Sequence, residues 1–165
     1  MKKLVKLVLL FLIAYPVTGI IYSCSEEEDC SMNARPMMLC NFYTKNAETG
    51  VVVKDTLDSL TITVYNSDSI ILNNQKMVHS LSLPLCYTAD STVLIFHYSE
   101  DPQFGKDTIV IRQKNTPYFL SMECGYQMKQ SITGESHSRN QLDSIHIQNP
   151  DAGIHGTENL QLYYY

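Results

Sequence analysis

Leu57-Asp58-Ser59-Leu60-Thr61-Ile62-Thr63-Val64-Tyr65 is the stretch that decides the fold. Leu60, Ile62 and Val64 alternate with Ser59, Thr61, Thr63 and Tyr65. That period of two gives the segment one core face and one wet face, and it excludes a helix there. The same vocabulary continues outward on both sides. Upstream, Met37 to Thr44 follows Pro36 as a first strand, and residues 45 to 50 form a loop. Downstream, Ser69 to Leu72 and Ser80 to Tyr87 read as strands joined by a turn at Asn73-Asn74-Gln75, residue types that accept positive φ. Leu81, Leu83, Leu85 and Tyr87 share one face of the second. Pro84, which cannot donate to a ladder, marks an edge strand or bulge, and Cys86 is expected to be accessible.

Thr92 to Ser99 is more continuously apolar, as suits a strand inside a sheet. A turn-rich loop follows from Glu100 to Gly105. Thr108 to Arg112 resumes as a strand that Asn115-Thr116-Pro117 is expected to break, and extended structure returns from Tyr118 to Lys129 around Cys124-Gly125. Gly134 to Asn140 reads as a polar, mobile connection, before strands at Ser144 to Asn149 and Leu160 to Tyr164. Tyr164 is in phase with Leu160 and Leu162 and belongs to the core; Tyr163 and Tyr165 face out. About nine short strands with Pro, Gly, Asn and Asp between them predict an all-β domain, an antiparallel β-sandwich, Ig-like or related, with a barrel as the second choice.

The chain begins differently. Lys2, Lys3 and Lys6 precede an apolar run from Leu7 to Ile13, the pattern of an export signal peptide, with a helix expected in that leader. Pro16, Thr18 and Gly19 interrupt the run before it reaches the ~20 apolar residues that a membrane-spanning helix needs. Ile21-Tyr22-Ser23-Cys24 resembles the bacterial lipobox, although Tyr22 is bulkier than that pattern usually has. Ser25-Glu26-Glu27-Glu28-Asp29 is similar to the acidic signal that sends lipoproteins of Bacteroidetes to the outer face of the outer membrane; a solvated linker is the alternative. The expected organisation is a signal peptide over 1–23, the lipidated Cys24 with an acidic tether over 24–29, and a β-sandwich domain over 30–165. After cleavage about 140 residues remain, one domain's worth.

Composition excludes some partners. The formal net charge is −5, with no basic stripe, which argues against nucleic acid and against charge-driven binding to anionic membranes. Besides Cys24 the chain carries Cys30, Cys40, Cys86 and Cys124, none in Cys-x-x-Cys spacing, so in an oxidising compartment a structural disulfide is the natural reading. Spacing alone leaves all three complete pairings of four thiols open.

No catalytic signature stands out, no metal site is expected and no cofactor is implied. The histidines, His79, His97, His137, His146 and His155, are scattered too widely to share a turn as metal ligands, and surface or packing roles are expected for them. There is no Gly-x-Ser-x-Gly elbow, no Gly-rich phosphate loop, and nothing to mark a carboxylate pair. An Asp followed by Ser or Thr and an aliphatic run recurs at Asp55, Asp58, Asp68, Asp107 and Asp143. The expected role is local, an Asp side chain bonding nearby amides before a strand begins, with a calcium site as the sharper alternative. Eleven tyrosines suit sugar stacking or protein recognition wherever they are exposed, although aromatic residues are also ordinary strand formers.

Four segments together carry a family resemblance: Cys30-Ser-Met-Asn-Ala-Arg-Pro-Met-Met-Leu-Cys-Asn-Phe-Tyr, Ser-Leu-Ser-Leu-Pro-Leu at 80 to 85, Phe119-Leu-Ser-Met-Glu-Cys-Gly-Tyr, and Gly156-Thr-Glu-Asn-Leu-Gln-Leu-Tyr. They resemble an uncharacterised family of Bacteroidetes envelope lipoproteins, a domain of unknown function. The resemblance brings no activity or ligand, but it implies a disulfide between Cys30 and Cys124. Such a bond closes a loop of roughly 95 residues, which on the entropic account stabilises by roughly 4 kcal/mol. Cys40, in phase with Met38 and Phe42, is then a buried free thiol, with a Cys40–Cys86 bond as the competing idea. The function expected is that of a non-enzymatic, lipid-anchored binding or accessory lipoprotein of the outer membrane, exposed at the cell surface, with a glycan or protein ligand. A periplasm-facing assembly lipoprotein is the alternative, and a hydrolase with an unrecognised site a more distant third.

Overall fold

The computed structural model describes residues 36–46, 49–99, 105–153 and 156–165, together with Lys6. The expected leader helix and tether lie outside these residues. The domain is all-β. Among the described residues the strands are β1 (Met37–Lys45), β2 (Val52–Lys54), β3 (Leu57–Val64), β4 (Ile70–Val78), β5 (Ser80–Pro84), β6 (Ser91–His97), β7 (Lys106–Ser121), β8 (Gly125–His137), β9 (Leu142–Ile147), β10 (Asp151–Ala152) and β11 (Glu158–Tyr164).

They form two sheets. One has the order β2-β1-β11-β9, with β5 also paired to β1; the other runs β10-β8-β7-β6-β3-β4. The chain changes sheet repeatedly, most abruptly between β4 and β5, where His79 is the only residue at the corner. Alternation does the rest. Phe42, Leu60, Ile62, Leu94, Phe96, Ile111, Leu160 and Leu162, drawn from both sheets, are all buried and belong to one core cluster. Burying each such side chain contributes roughly 1.5–3 kcal/mol, which is what selects this register over a slip of one residue that would turn every one of them outward.

Several expectations are corrected. The pairing is not purely antiparallel: β1 and β11 run parallel, with Cys40 opposite Leu160 and Phe42 opposite Leu162. The strands number more than about nine, because the short β2 and β10 carry too few residues to show a period. Asn73-Asn74-Gln75 is no turn. These residues lie inside β4, where the register slips between Leu60 and Ile62 and the Asn74 N–H donates to the Thr61 hydroxyl at 2.9 Å. Asn74 does adopt a positive φ of 42°, but in a bulge rather than a hairpin end.

Asn115-Thr116-Pro117 does not break β7, which runs on through Pro117 opposite Met128. Its ladder with β6 stops at Arg112, so among the described residues β8 is the one strand paired with the distal part, whose other edge tolerates a residue without an N–H. Gly134 to Asn140 is not a mobile connection either, since Gly134 pairs with Arg112 and His137 with Ile109. Tyr87, expected on the buried face of its strand, is 64% exposed because β5 ends at Pro84. Pro84 does mark an edge strand, and Tyr164 is buried as its phase requires.

Candidate functional site

Two features gather polar or aromatic side chains in ways that the local sequence explains. The first is buried. Asp107 sits in β7 in phase with Ile109 and Ile111 and is wholly inaccessible to solvent. Its Oδ1 accepts from the Ser138 hydroxyl at 2.6 Å and the Asn140 N–H at 2.9 Å. Its Oδ2 accepts from the Gln141 and Leu142 N–H groups, each at 2.9 Å, and from the Tyr98 hydroxyl at 3.1 Å. The Tyr164 hydroxyl reaches Tyr98 at 3.4 Å, and the two rings meet edge to face at 5.6 Å. Burial by itself raises a carboxyl's pKa, but these donors outweigh it and hold Asp107 below the usual carboxylate value. Tyr98 and Tyr164 are pushed up, mainly by burial. The carboxylate fastens the connection that carries the chain from β8 in one sheet to β9 in the other. With every lone pair directed at a donor, it is an anchor rather than an acid or base.

The second feature is open to solvent. A groove of about 490 Å³ is lined by Pro36, Pro84, Leu85, Tyr87, Pro117, Tyr126, Gln127, Met128 and Gln130. None of these side chains is charged, so the groove suits a neutral or apolar group, with two tyrosines for stacking and glutamine amides for orientation. Its wall is held from beneath. Gln113 Nε2 donates to the carbonyls of Cys86 (2.7 Å) and Ala89 (3.1 Å), and Asn115 Nδ2 donates to the same two at 3.2 and 2.8 Å. Gln130 Nε2 donates to Asn115 Oδ1 at 2.8 Å, and the Thr92 hydroxyl, which accepts from the Cys86 N–H at 2.8 Å, donates to Gln113 Oε1 at 3.2 Å. This network fixes the turn that presents Tyr87.

A further polar cluster lies on the sheet that contains β1 and β11. Glu158 Oε1 accepts from Asn41 and Tyr43, each at 2.7 Å, and Oε2 from Gln161 at 2.9 Å. Tyr43 stacks on Tyr163 at 5.5 Å. Burial raises the Glu158 pKa, but these hydrogen bonds and Lys54 bring it below its ordinary value.

Of the residues singled out from sequence, Cys24 and Cys30 lie outside the described residues. Cys124 occupies the turn between β7 and β8, where its N–H donates to the Ser121 hydroxyl at 3.1 Å, and it is disulfide-bonded. Cys40 and Cys86 are free thiols, so the competing Cys40–Cys86 bond is absent. Burial, with Glu158 nearby, pushes the Cys40 thiol far up, whereas hydrogen bonds from Thr88 bring Cys86 down. Hydrogen bonding occupies two of the histidines: His97 Nε2 lies 3.1 Å from the Thr63 hydroxyl, and His137 lies 2.8 Å from Glu135 and 3.2 Å from the Asp143 carbonyl. His79 and His146 are exposed, and His155 lies outside the described residues. Asp55 caps locally as expected, accepting from the Thr56 N–H at 2.7 Å. The recurring Asp residues do not converge, and among the described residues no three His, Cys, Asp or Glu side chains form a metal-sized group.

Asp107, expected to bond amides near it in the chain, instead accepts from N–H groups 33 to 35 residues away, and Gln113 escaped the reading of the sequence, although both carry a signal. Each is a polar residue in phase with the apolar face of its own strand. Residues 59–164, from within β3 to the end of β11, match the model of a family of unknown function, DUF6452. No curated protein and no solved structure matches the chain.

Proposed function

The chain belongs to the DUF6452 family, and from that premise we propose that it is a non-enzymatic binding or accessory lipoprotein, anchored through Cys24 in an outer membrane and exposed at the cell surface. The observation that carries the binding role is the uncharged groove between Tyr87 and Tyr126, with its wall fixed by Gln113 and Asn115. A site whose walls are held before the ligand arrives loses little entropy on binding. The occupant that fits is neutral: the face of a sugar ring or an uncharged peptide segment. The two sheets are read as the halves of a β-sandwich, and the disulfide at Cys124 as a bond to Cys30.

A non-enzymatic role is supported by the chemistry of the titratable groups. Asp107 is saturated with donors, Cys40 is buried with its thiol held protonated, and the groove lining carries no carboxylate or histidine. The anchor and the location are tested together. Cys24→Ser should shift the protein from the membrane to the soluble fraction, and protease added to intact cells should digest the wild-type domain. Membrane association that survives Cys24→Ser refutes the anchor. Digestion only after lysis turns the protein to the periplasm, as an assembly lipoprotein. The groove is tested separately by titrating the protein with neutral oligosaccharides and proline-rich peptides, following the tyrosine resonances. Tyr87 and Tyr126 should respond to one class, and silence to both removes the proposed occupant.

A further inference from the structure

The tip of the β7–β8 hairpin, beyond the groove, carries a cluster of exposed apolar side chains. Among the described residues no strand flanks β7 on the β6 side beyond Arg112; the turn at 86–90 bonds Gln113 and Asn115, and past Pro117 the hairpin runs on to its tip. At its end Phe119 is 51% exposed, Met122 85% and Tyr126 76%, and Tyr118 is exposed on the opposite face of the hairpin. Phe119 and Tyr126 touch edge to face at 5.5 Å, which covers one side of each ring and leaves the other to solvent. Glu123 is the one charged residue between Tyr118 and Tyr126. Monomeric domains seldom leave such a patch at a hairpin tip without something to cover it.

The half-cystine indicates what covers it. Cys124 lies in this turn and is disulfide-bonded, while Cys40 and Cys86 are free, and the chain's other cysteines are Cys24 and Cys30. We propose that the hairpin tip rests in the head-group layer of the membrane that holds the anchor, with Tyr118, Phe119 and Met122 as its contacts, while Tyr126 faces the groove. This rests on the lipid-anchor reading and on the Cys30–Cys124 bond. With both in place, only Ser25 to Asp29 separate the tip from the lipidated residue, a reach of roughly 20 Å at 3.3–3.6 Å per residue. Tyrosine suits that depth, since its amphipathic ring keeps its hydroxyl in the head groups and its body among the acyl chains, and Phe119 and Met122 add apolar surface. A lipid anchor with a second, weak contact also holds an orientation that a single flexible point would not.

The chain contains no tryptophan, so one can be introduced as a depth probe. Met122→Trp places an indole at the tip. Tyr65→Trp places one at the β3–β4 turn, which hydrogen-bonds to Val93 at the level where β6 pairs with Val110, far along β7 from the tip. Each lipidated protein is reconstituted into vesicles of phosphatidylethanolamine and phosphatidylglycerol with and without brominated acyl chains. Co-flotation, with loss of emission for Met122→Trp and none for Tyr65→Trp, is the expected result. Co-flotation with the Met122→Trp emission unchanged overturns the membrane contact and leaves the anchor standing. Failure to co-float overturns the anchor and this proposal together. Emission that bromolipid leaves unchanged, but that whole envelopes shield from aqueous iodide, assigns the tip to a protein neighbour and also overturns it.

Discussion

Asp107→Asn should be among the most destabilising single-atom changes available to this protein. The substitution keeps the volume of the side chain but turns one acceptor oxygen into an NH₂ group in a site where every neighbour is a donor. If the amide oxygen takes the Oδ2 position and keeps Gln141, Leu142 and Tyr98, the NH₂ group faces the Ser138 hydroxyl and the Asn140 N–H. The opposite flip loses three donors instead of two. Hydrogen bonds to a charged group contribute about 1.5–3 kcal/mol each, so losing two costs about 3–5 kcal/mol after the serine hydroxyl rotates to donate elsewhere. With a urea m-value of about 2 kcal/mol per molar, the midpoint falls by about 2 M at unchanged m. The pH dependence gives a second reading. Because the folded-state pKa of Asp107 is lowered, its contribution is complete above the unfolded value of about 3.9 and disappears as pH falls through the lower folded value. The acid limb of the stability curve should therefore be shallower in Asp107→Asn than in wild type. Urea titration followed by tyrosine fluorescence and circular dichroism measures both effects. A midpoint equal to that of wild type, or an unchanged acid limb, would refute the assignment of Asp107 as the fastening between sheets.

Three further outcomes follow from the same geometry. A thiol reagent applied to the native protein at mildly alkaline pH should label Cys86 and spare Cys40, because one thiol is partly exposed and lowered by Thr88 while the other is buried and raised; mass spectrometry showing equal labelling would contradict this. Gln113→Leu strips a partner from the carbonyls of Cys86 and Ala89 and should cost about 1–3 kcal/mol, with amide exchange rising most over residues 86–90; uniform exchange across the domain would show that the network does not hold the groove wall. Non-reducing peptide mapping should recover Cys124 joined to Cys30, and alkylation of both in the untreated protein would exclude the bond.

How far the sequence could be read depended on how many strands a side chain's role involved. The alternation in Leu57–Val64 and Ser80–Pro84 is a property of one strand, and it correctly separated Leu60, Ile62, Leu81 and Leu83 from their less buried neighbours. Cys40 and Tyr164 were placed in the core by phase alone. The misreadings involve two strands or more. Asn73-Asn74-Gln75 has turn chemistry, yet β3 beside it converts a turn into a bulge. Pro117 normally ends a ladder, and it is accommodated here because β6 stops short. The segment from Gly134 to Asn140 looked like a loop because its order comes from Arg112, Ile109 and Asp107, all distant in sequence. The groove has the same origin: Pro36, Tyr87, Pro117 and Tyr126 lie on separate segments and meet only once both sheets exist.

The parallel pairing of β1 with β11 sets a timetable for folding. β11 is the interior strand between β1 and β9, so Cys40 and Phe42 find their neighbours only when Leu160 and Leu162 have been delivered. Among the hydrogen bonds that close this seam, Leu39 N–H to Asn159 Oδ1 joins residues 120 apart, and such closure carries an entropic delay that local hairpins do not. The hairpins from β6 to β8 can zip as they emerge, while the other sheet waits for the last strand. A domain built this way remains threadable until β11 has passed through whatever pore or ribosome is feeding it, and then closes on β1.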